Sequence, residues 1–499
     1  MPNPRPHLTL VAGYIKSRKA AQGMFFGFAQ SGVELVNHAL ANLKMSQSAS
    51  ISDNPWRRRA RFGCWSFFIM MQPAMLFLLL TPIFLHSALV YIDIHNTTSI
   101  NDFVKIYINA QATEHPNPYD ADLQGKLIYE ITKPLPIPVY QRYVWHTPIL
   151  LAFAKPFVSM PPYTAYCVWL ALSMIVGPGC VALLARSSGV SKKDTILILL
   201  ATFCAMPHCF WWLMGQTTWF QVAAISLFYW AMRSKRNLLA GLALIFTLVK
   251  PQLSAIYFLV ALSARRFSIL GWSALGGLVL LGYILMNVMS FDVLLSYPRV
   301  LYSYETSKTS GNFTENQVGI RGMLTMMMPP DVALAVAGIL FLASIVFVAY
   351  IWSKAAKLDD RSKDWLMAIT VAANLAFSLH SMMYDCLAFV IPAALTLKSL
   401  SFFDAVKMMP LSLRIWTLLL LSYPVLSWFG PKPAFKYDTN IGFAILSLAL
   451  FTSGAIYVWK YILPQASSSA ATSAATSVAT SADGIETISA ESPIDSAQA

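Results

Sequence analysis

The amino-acid sequence predicts an all-α polytopic membrane protein, and its composition and pattern both support this prediction. Hydrophobic residues make up 57% of the 499 residues, and charged residues make up only 12%. A water-soluble chain of this length would carry about a quarter charged residues to solvate its surface. Apolar runs of about 17–25 residues, long enough to cross a bilayer as a helix, recur along the chain. Lipid must therefore cover most of the folded surface.

The apolar runs predict a transmembrane domain over residues 64–463, with about 11–13 membrane-spanning helices and further helices in its outer loops. Two runs, 237–249 and 251–264, are too short to span singly and are predicted to be half-helices that meet at Lys250-Pro251. The run 147–160 is also short and is predicted to be a re-entrant or interfacial helix. The predicted spans lie near 64–91, 163–185, 194–213, 218–234, 237–249, 251–264, 268–290, 331–353, 364–383, 384–398, 413–430 and 440–462.

The two ends of the chain are predicted to lie outside this domain. Residues 1–63 form a basic cytoplasmic segment, which either carries an amphipathic helix on the inner leaflet or is a loosely structured tail. Residues 464–499 are rich in Ala, Ser and Thr and too weakly apolar to bury a core, so they are predicted to be a disordered cytoplasmic tail.

The basic residues orient the predicted helices. With the N-terminus inside, 25 Lys and Arg residues fall on the cytoplasmic side and 10 on the outer side, as the positive-inside rule expects. Both termini are then cytoplasmic, and two sizeable loops, 92–147 and 291–330, face outward. This placement explains the net charge of +13 without a nucleic-acid partner.

Several classes of site lack support in the sequence. The six cysteines mostly lie in or beside apolar runs, without metal-ligand spacing or a disulfide framework. The short cytoplasmic loops contain no Walker A or dinucleotide motif, which disfavours nucleotide-driven chemistry. Asp120 and Asp122 have an unspecific spacing, so a divalent ion is neither predicted nor excluded. No cofactor is predicted.

Polar side chains gather on the predicted outer face, although they are scattered over nearly 300 residues. A carboxylate there can take a proton from a hydroxyl, nearby cations can hold a phosphate, and apolar helix walls can hold a lipid tail. Together these groups favour group transfer from a lipid-phosphate donor. The outer-face set is Asp102, Lys105, Tyr107, Arg142, Tyr143, His146, Gln216, Asn316, Gln317, Arg321, His380, Tyr384 and Asp385, with Lys250 and Gln252 at the hairpin tip.

A series of short motifs also runs in order from about residue 99 to 395. It resembles the motifs of glycosyltransferase family 87, a group of membrane proteins within the GT-C superfamily. Where that family has Tyr-Pro-Pro, this chain has "VWHTP" and keeps only Pro148. The matching stretches are "DFVKIY" at 102–107, "NPYD" at 117–120, "MGQTTWF" at 214–220, "LAGLALIFTLVKPQ" at 239–252, "ENQVGIRGML" at 315–324 and "SLHSMMYDCLAFVIP" at 378–392.

The resemblance implies a GT-C-like helical bundle that moves a sugar, often mannose, from a polyprenyl-phosphate donor to a hydroxyl of a lipid or glycan acceptor. Transfer takes place outside the cytoplasm, which indicates the periplasmic face of a bacterial inner membrane. The acidic residue after the first span serves as the base in such enzymes, so the resemblance assigns this role to Asp102, with inversion at the sugar. Substrates and membrane lipids are the expected partners.

The remaining site residues are assigned with alternatives. Donor-phosphate contacts are expected at Lys250, Arg321, Arg142 and Gln252, and cleft contacts at Tyr107, His146, Gln216, Asn316, Gln317, His380, Tyr384 and Asp385. Asp102 could instead cap its helix, Lys250 could snorkel from a helix end, and the His380 and Asp385 side chains could form a structural pair. A transporter or flippase of lipid-linked glycans, or a polymerase or ligase of them, remains an alternative function.

Overall fold

The computed structural model describes residues 102–132, 146–203, 205–306, 317–397, 410–429 and 441–465. The predicted span 64–91, the basic segment 1–63 and nearly all of the predicted tail lie outside the described residues. Two predicted site residues, Arg142 and Asn316, also lie outside them.

The described residues form α-helices, short 3-10 segments and one π-helical stretch, Val458–Ile462, with a single isolated bridge between Gln317 and Met382. This confirms the all-α prediction. The helices are α1 Asp102–Ala112, α2 Ala121–Thr132, α3 Pro148–Ala154, α4 Pro162–Ser187, α5 Lys192–Phe203, α6 Met206–Met214, α7 Thr218–Arg233, α8 Asn237–Phe246, α9 Ala255–Ser263, α10 Phe267–Asn287, α11 Phe291–Thr306, α12 Ile320–Leu324, α13 Pro330–Ser353, α14 Asp360–Phe377, α15 Val390–Thr396, α16 Leu411–Phe429 and α17 Ile441–Tyr457.

Several of these helices have the length and composition of membrane spans. Within the described ranges, four helices are long and apolar enough to cross a bilayer, namely Pro162–Ser187, Phe267–Asn287, Pro330–Lys357 and Gly442–Gln465. Helices α5 and α6 would form a fifth span together, bent by 65° at the break between them. The protein is therefore an all-α polytopic membrane protein, and the total of 11–13 spans stays a prediction.

The chain breaks at Lys250, where the sequence predicted two half-helices. A 3-10 turn, Thr247–Val249, ends the first half, and a second turn, Pro251–Leu253, begins the next. Lys250 between them has φ −126° and ψ 83°, outside the helical region. Proline has no N–H and disfavours helical backbone in the residue before it, so Pro251 explains the break.

Three predicted spans differ from the helices observed. The segment 194–213 is interrupted before Met206, where Pro207 occupies the first turn of α6. The predicted helix 364–383 ends at Phe377, because Ser378 adopts an extended conformation and the following residues pair with the segment after Asn316. The predicted helix 384–398 starts as a 3-10 turn, Met383–Phe389, before α15. These corrections place polar residues in loops at helix ends.

Helices α4 and α7 pack closely through a small residue. A Cβ atom added to Gly177 of α4 would lie 2.5 Å from the ring of Trp219. Small residues allow such close approach between membrane helices. Trp169 of α4 and Phe220 of α7 add an edge-to-face ring contact at 4.9 Å. This interface fixes the start of α7, which carries part of the candidate site.

Candidate active site

Asp102 lies at the start of α1 and has two side-chain partners. The ammonium group of Lys105 is 2.9 Å from its Oδ1, and the amide of Gln216 donates a hydrogen bond to its Oδ2. The side chain of Asp102 keeps 22% of its surface exposed. The carboxylate is therefore held in place but remains accessible.

These partners keep the Asp102 carboxylate charged. Burial acts to raise the pKa of this group, but the charge of Lys105 and the hydrogen bonds from Lys105 and Gln216 outweigh burial, so the pKa lies below its usual value of 3.8. Asp102 is consequently ionised at neutral pH, which is the form that can accept a proton.

Gly215 brings Gln216 to Asp102. It ends α6 with φ +63°, a left-handed conformation that glycine adopts without steric cost. A Cβ atom here would lie 2.5 Å from Cβ of Phe103, the residue after Asp102. The indole N–H of Trp169 donates to the Gly215 carbonyl at 3.1 Å. The close approach of two backbones thus sets the position of Gln216.

Replacing Gly215 tests this close approach, and Gly189 provides a matched control. Gly189 also has a positive φ, +84°, but no atom lies within 4 Å of its added Cβ. We expect Gly189→Ala to lower the free energy of unfolding by about 1–2 kcal/mol through its backbone alone. Gly215→Ala should lower the free energy of unfolding further, because it adds the clash with Phe103. Unfolding in detergent measures both, and equal losses would contradict the packing argument.

Lys250 and Asp385 form a buried ion pair. Both are nearly inaccessible, with exposed fractions of 7% and 2%. The Lys250 ammonium also donates to the Thr218 hydroxyl at 3.0 Å and lies 4.6 Å from the centre of the Tyr384 ring. The other carboxylate oxygen of Asp385 accepts the backbone N–H of Met382 at 2.9 Å. The ammonium is thus surrounded by partners, so a phosphate must replace one of them to bind it directly.

The short stretch from Gln216 to Thr218 contacts both charged pairs, Asp102 with Lys105 and Lys250 with Asp385. Gln216 contacts Asp102, and Thr218, two residues later at the first position of α7, contacts both Lys250 and Asp385. Thr218 was missed by the sequence analysis. The only signal for it was its place in the "GQTT" stretch, immediately before an apolar helix.

His146 lies beside both pairs. The hydroxyl of Thr147 accepts the N–H of Leu150 and also donates to the carbonyl of Val249 at 3.5 Å, which connects this segment to the residue before Lys250. The phenol of Tyr119 donates to the His146 carbonyl at 2.9 Å. The Nε2 atom of His146 is buried and, in the part of the chain described, has no hydrogen-bond partner.

The surroundings keep His146 neutral. Burial, together with the positive charges of Lys105 and Lys250, lowers the pKa of the imidazole to about 4, although Asp102 acts in the opposite direction. These charge effects also show that His146 lies within electrostatic reach of both Asp102 and Lys250.

Two loop segments, 317–321 and 379–385, contact each other beside Asp385. The side-chain amide of Gln317 is 3.4 Å from Nδ1 of His380, and Gln317 pairs with Met382 through the isolated bridge. Arg321 is buried and donates to the Leu379 carbonyl at 2.8 Å. These contacts connect the 317–321 and 379–385 segments, which are far apart in sequence, at the same end of the molecule.

Two predicted site residues are oriented differently. The phenol of Tyr107 donates to the Met160 carbonyl at 2.9 Å, so it anchors α1 to the segment after α3. Gln252 is half-buried and forms no hydrogen bond to the network among the residues described. Tyr107 points away because it lies more than one helical turn from Asp102, on another part of the α1 surface.

The opposite ends of α7 and α14 carry a different ion pair. Arg233 contacts the buried Asp364 at 2.8 Å, and the phenol of Tyr229 donates to the same carboxylate at 3.0 Å. Fifteen residues of helix separate Thr218 from Arg233, which corresponds to about 23 Å. This pair is therefore remote from the Asp102 network. In the described ranges, no three His, Cys, Asp or Glu side chains lie close enough together to hold a metal ion.

Comparison with known families supports a transferase. The model of glycosyltransferase family 87 matches residues 143–381. Residues 143–381 are thus similar to this family. The match confirms the resemblance predicted from the sequence motifs, and it contains Gln216, Lys250 and Gln317. The match supports a glycosyltransferase activity for this membrane protein. No curated protein and no solved structure gives a significant match.

Proposed function

We propose that the protein transfers a sugar, mannose or a similar hexose, from a polyprenyl-phosphate donor to a hydroxyl of a lipid or glycan acceptor. The transfer would take place at the periplasmic face of a bacterial inner membrane. The observation that carries this proposal is the link between the ionised carboxylate of Asp102 and the cation of Lys250 through Gln216 and Thr218. A base and a phosphate-binding cation then act on one site.

The chemistry follows from these two groups. Asp102 takes the proton of the acceptor hydroxyl while the hydroxyl oxygen attacks the anomeric carbon. The bond from that carbon to the phosphate oxygen breaks, and its electron pair leaves with the phosphate. A single displacement of this kind inverts the configuration of the sugar. The cations stabilise the negative charge that develops on the leaving phosphate.

The donor phosphate would bind near Lys250. Its ammonium exchanges the Thr218 hydroxyl for a phosphate oxygen, while Asp385 keeps the side chain oriented. Arg321, whose guanidinium donates to the Leu379 carbonyl, is the second cation proposed to contact the phosphate. Gln252 and Arg142 complete the proposed donor contacts.

An apolar cavity offers a place for the isoprenoid tail. It lies between α5, α15 and α16. Phe389, in its wall, is one helical turn from Asp385, so the cavity begins close to the charged network. Hydrophobic burial of isoprene units there would contribute to donor affinity. The cavity is lined by Ile198, Ala201, Thr202, Phe389, Val390, Ala393, Leu397, Leu420, Leu421 and Tyr423.

Transfer of label tests the proposal. Membranes that contain the protein receive a radiolabelled polyprenyl-phosphate sugar and a membrane lipid extract as acceptor source. We expect a labelled glycolipid or glycan with a new glycosidic bond of inverted configuration, which matched membranes without the protein do not form. Movement of the labelled donor across the bilayer without a new bond would contradict the proposal and indicate a transporter.

A further inference from the structure

The buried Nε2 atom of His146 is the feature of the network that the proposed reaction leaves unused. Buried polar atoms in proteins nearly always have a hydrogen-bond partner, and among the described residues this nitrogen has none, so it has room for a bound group. His146 stands where the motif of the similar family has the first residue of Tyr-Pro-Pro. Its backbone is held by Tyr119, and its neighbour Thr147 is held by Val249.

The position of His146 indicates the charge of the missing group. Lys105 and Lys250 both act on the imidazole, and Asp102 is the carboxylate that acts on it among the residues the structure describes. Asp102 is already engaged by Lys105 and Gln216, and Asp385 pairs with Lys250. The cations nearby favour an anion over a neutral hydroxyl as the group that occupies this place.

We propose that Nε2 of His146 donates a hydrogen bond to a phosphate oxygen of the prenyl-phosphate donor. This inference rests on the proposed function, since it takes the lipid phosphate as the ligand. His146 is then a donor-binding residue within electrostatic reach of the base Asp102 and the cation Lys250. A neutral imidazole can donate from Nε2 while its other ring nitrogen carries no proton.

The purified full-length protein in detergent can test the contact by binding of farnesyl phosphate. We expect His146→Ala to weaken this binding about tenfold or more, because hydrogen bonds to charged groups are among the strong ones. His146→Gln retains an N–H donor and should recover part of the affinity. His115→Ala is the matched control, since His115 is exposed in the loop after α1, and it should bind like the original protein.

Two comparison ligands identify the group that is recognised. Farnesol lacks the phosphate, so its weaker binding should be the same in the original protein and in His146→Ala. Dioleoyl phosphatidic acid carries a phosphate on another lipid, and equal His146-dependent binding of it would overturn the assignment to the prenyl donor. In the transfer assay, His146→Ala should raise KM for the donor and leave KM for the acceptor unchanged.

The outcomes separate this inference from the proposed function. Farnesyl phosphate binding that His146→Ala and His146→Gln leave unchanged would overturn the inference alone. Failure of the original protein to bind farnesyl phosphate at all would overturn both. Thermal unfolding of each variant distinguishes a lost contact from a lost fold, and the Gln variant provides the test if the Ala variant unfolds.

Discussion

Asp102→Asn should lower the rate of sugar transfer by about 10²–10⁴-fold, the usual contribution of a positioned general base. Asparagine has nearly the same shape. Its carbonyl oxygen can still accept from Lys105, and its amide group can donate to the side-chain oxygen of Gln216 once that amide flips, so the protein should fold normally. What it loses is the ability to take a proton. Initial rates with labelled donor, divided by the amount of folded protein, measure the effect.

Asp122→Asn is the control for Asp102→Asn. Asp122 is also an aspartate in the first turn of a helix, α2, but it is exposed and lies outside the network. Its replacement should leave transfer unchanged. Retention of more than about a tenth of the rate in Asp102→Asn would contradict its role as base.

The pH dependence of the original enzyme provides a further check on Asp102. Because its pKa lies below 3.8, the carboxylate stays ionised down to about pH 5. Titration of Asp102 should therefore cause no loss of rate between about pH 7 and pH 5. The rate falls only when the pH approaches the lowered pKa and the carboxylate gains a proton.

The sequence singled out individual polar residues but not the partners that they contact. Burying a charged side chain near the bilayer is energetically unfavourable, so charged residues are scarce in a lipid-covered chain. Asp102, Lys250 and Asp385 therefore stood out in the sequence. Their partners depend on tertiary packing: Lys250 and Asp385 are 135 residues apart. The sequence did not single out Thr218, because a hydroxyl residue at a helix start is common and, unlike a charged residue, needs no functional reason there.

The local backbone limited the prediction in other places. The half-helices at Lys250 followed from Pro251, whose effect on the preceding residue is local. The end of α14 at Phe377 did not, because "SLHSMMYD" has no proline or glycine and its extended conformation depends on pairing with the 317–318 segment. The bond from the Tyr107 phenol to the Met160 carbonyl could not be predicted, because it depends on the neighbours that pack against α1.

The ion pair of Lys250 and Asp385 should have the largest effect on stability. Asp385→Asn leaves a buried ammonium without its carboxylate, and breaking such a pair typically costs about 3–5 kcal/mol. We expect a loss of this size in the free energy of unfolding, measured by denaturant unfolding in detergent. Transfer should fall as well, because Lys250 then loses the group that orients it toward the donor phosphate.

Asp364→Asn is the matched control at the opposite end of the helices. Its partner Arg233 keeps 18% of its side chain exposed and has a second carboxylate, Asp360, at 3.7 Å. The remaining cation is therefore better compensated than Lys250 would be, and we expect a smaller loss of stability. Each folded molecule of Asp364→Asn should keep its transfer rate, since this pair lies about 23 Å from Thr218 along α7.

Adding Lys250→Met to Asp385→Asn separates the two contributions of the pair. Methionine removes the uncompensated charge and has a similar length, so the double variant should recover much of the stability lost in Asp385→Asn. It should not recover transfer, because the cation that binds the leaving phosphate is gone. A double variant no more stable than Asp385→Asn would show that the buried ammonium is not the cause of the loss. Recovery of both stability and transfer would instead exclude Lys250 from the reaction and leave the pair with a purely structural role.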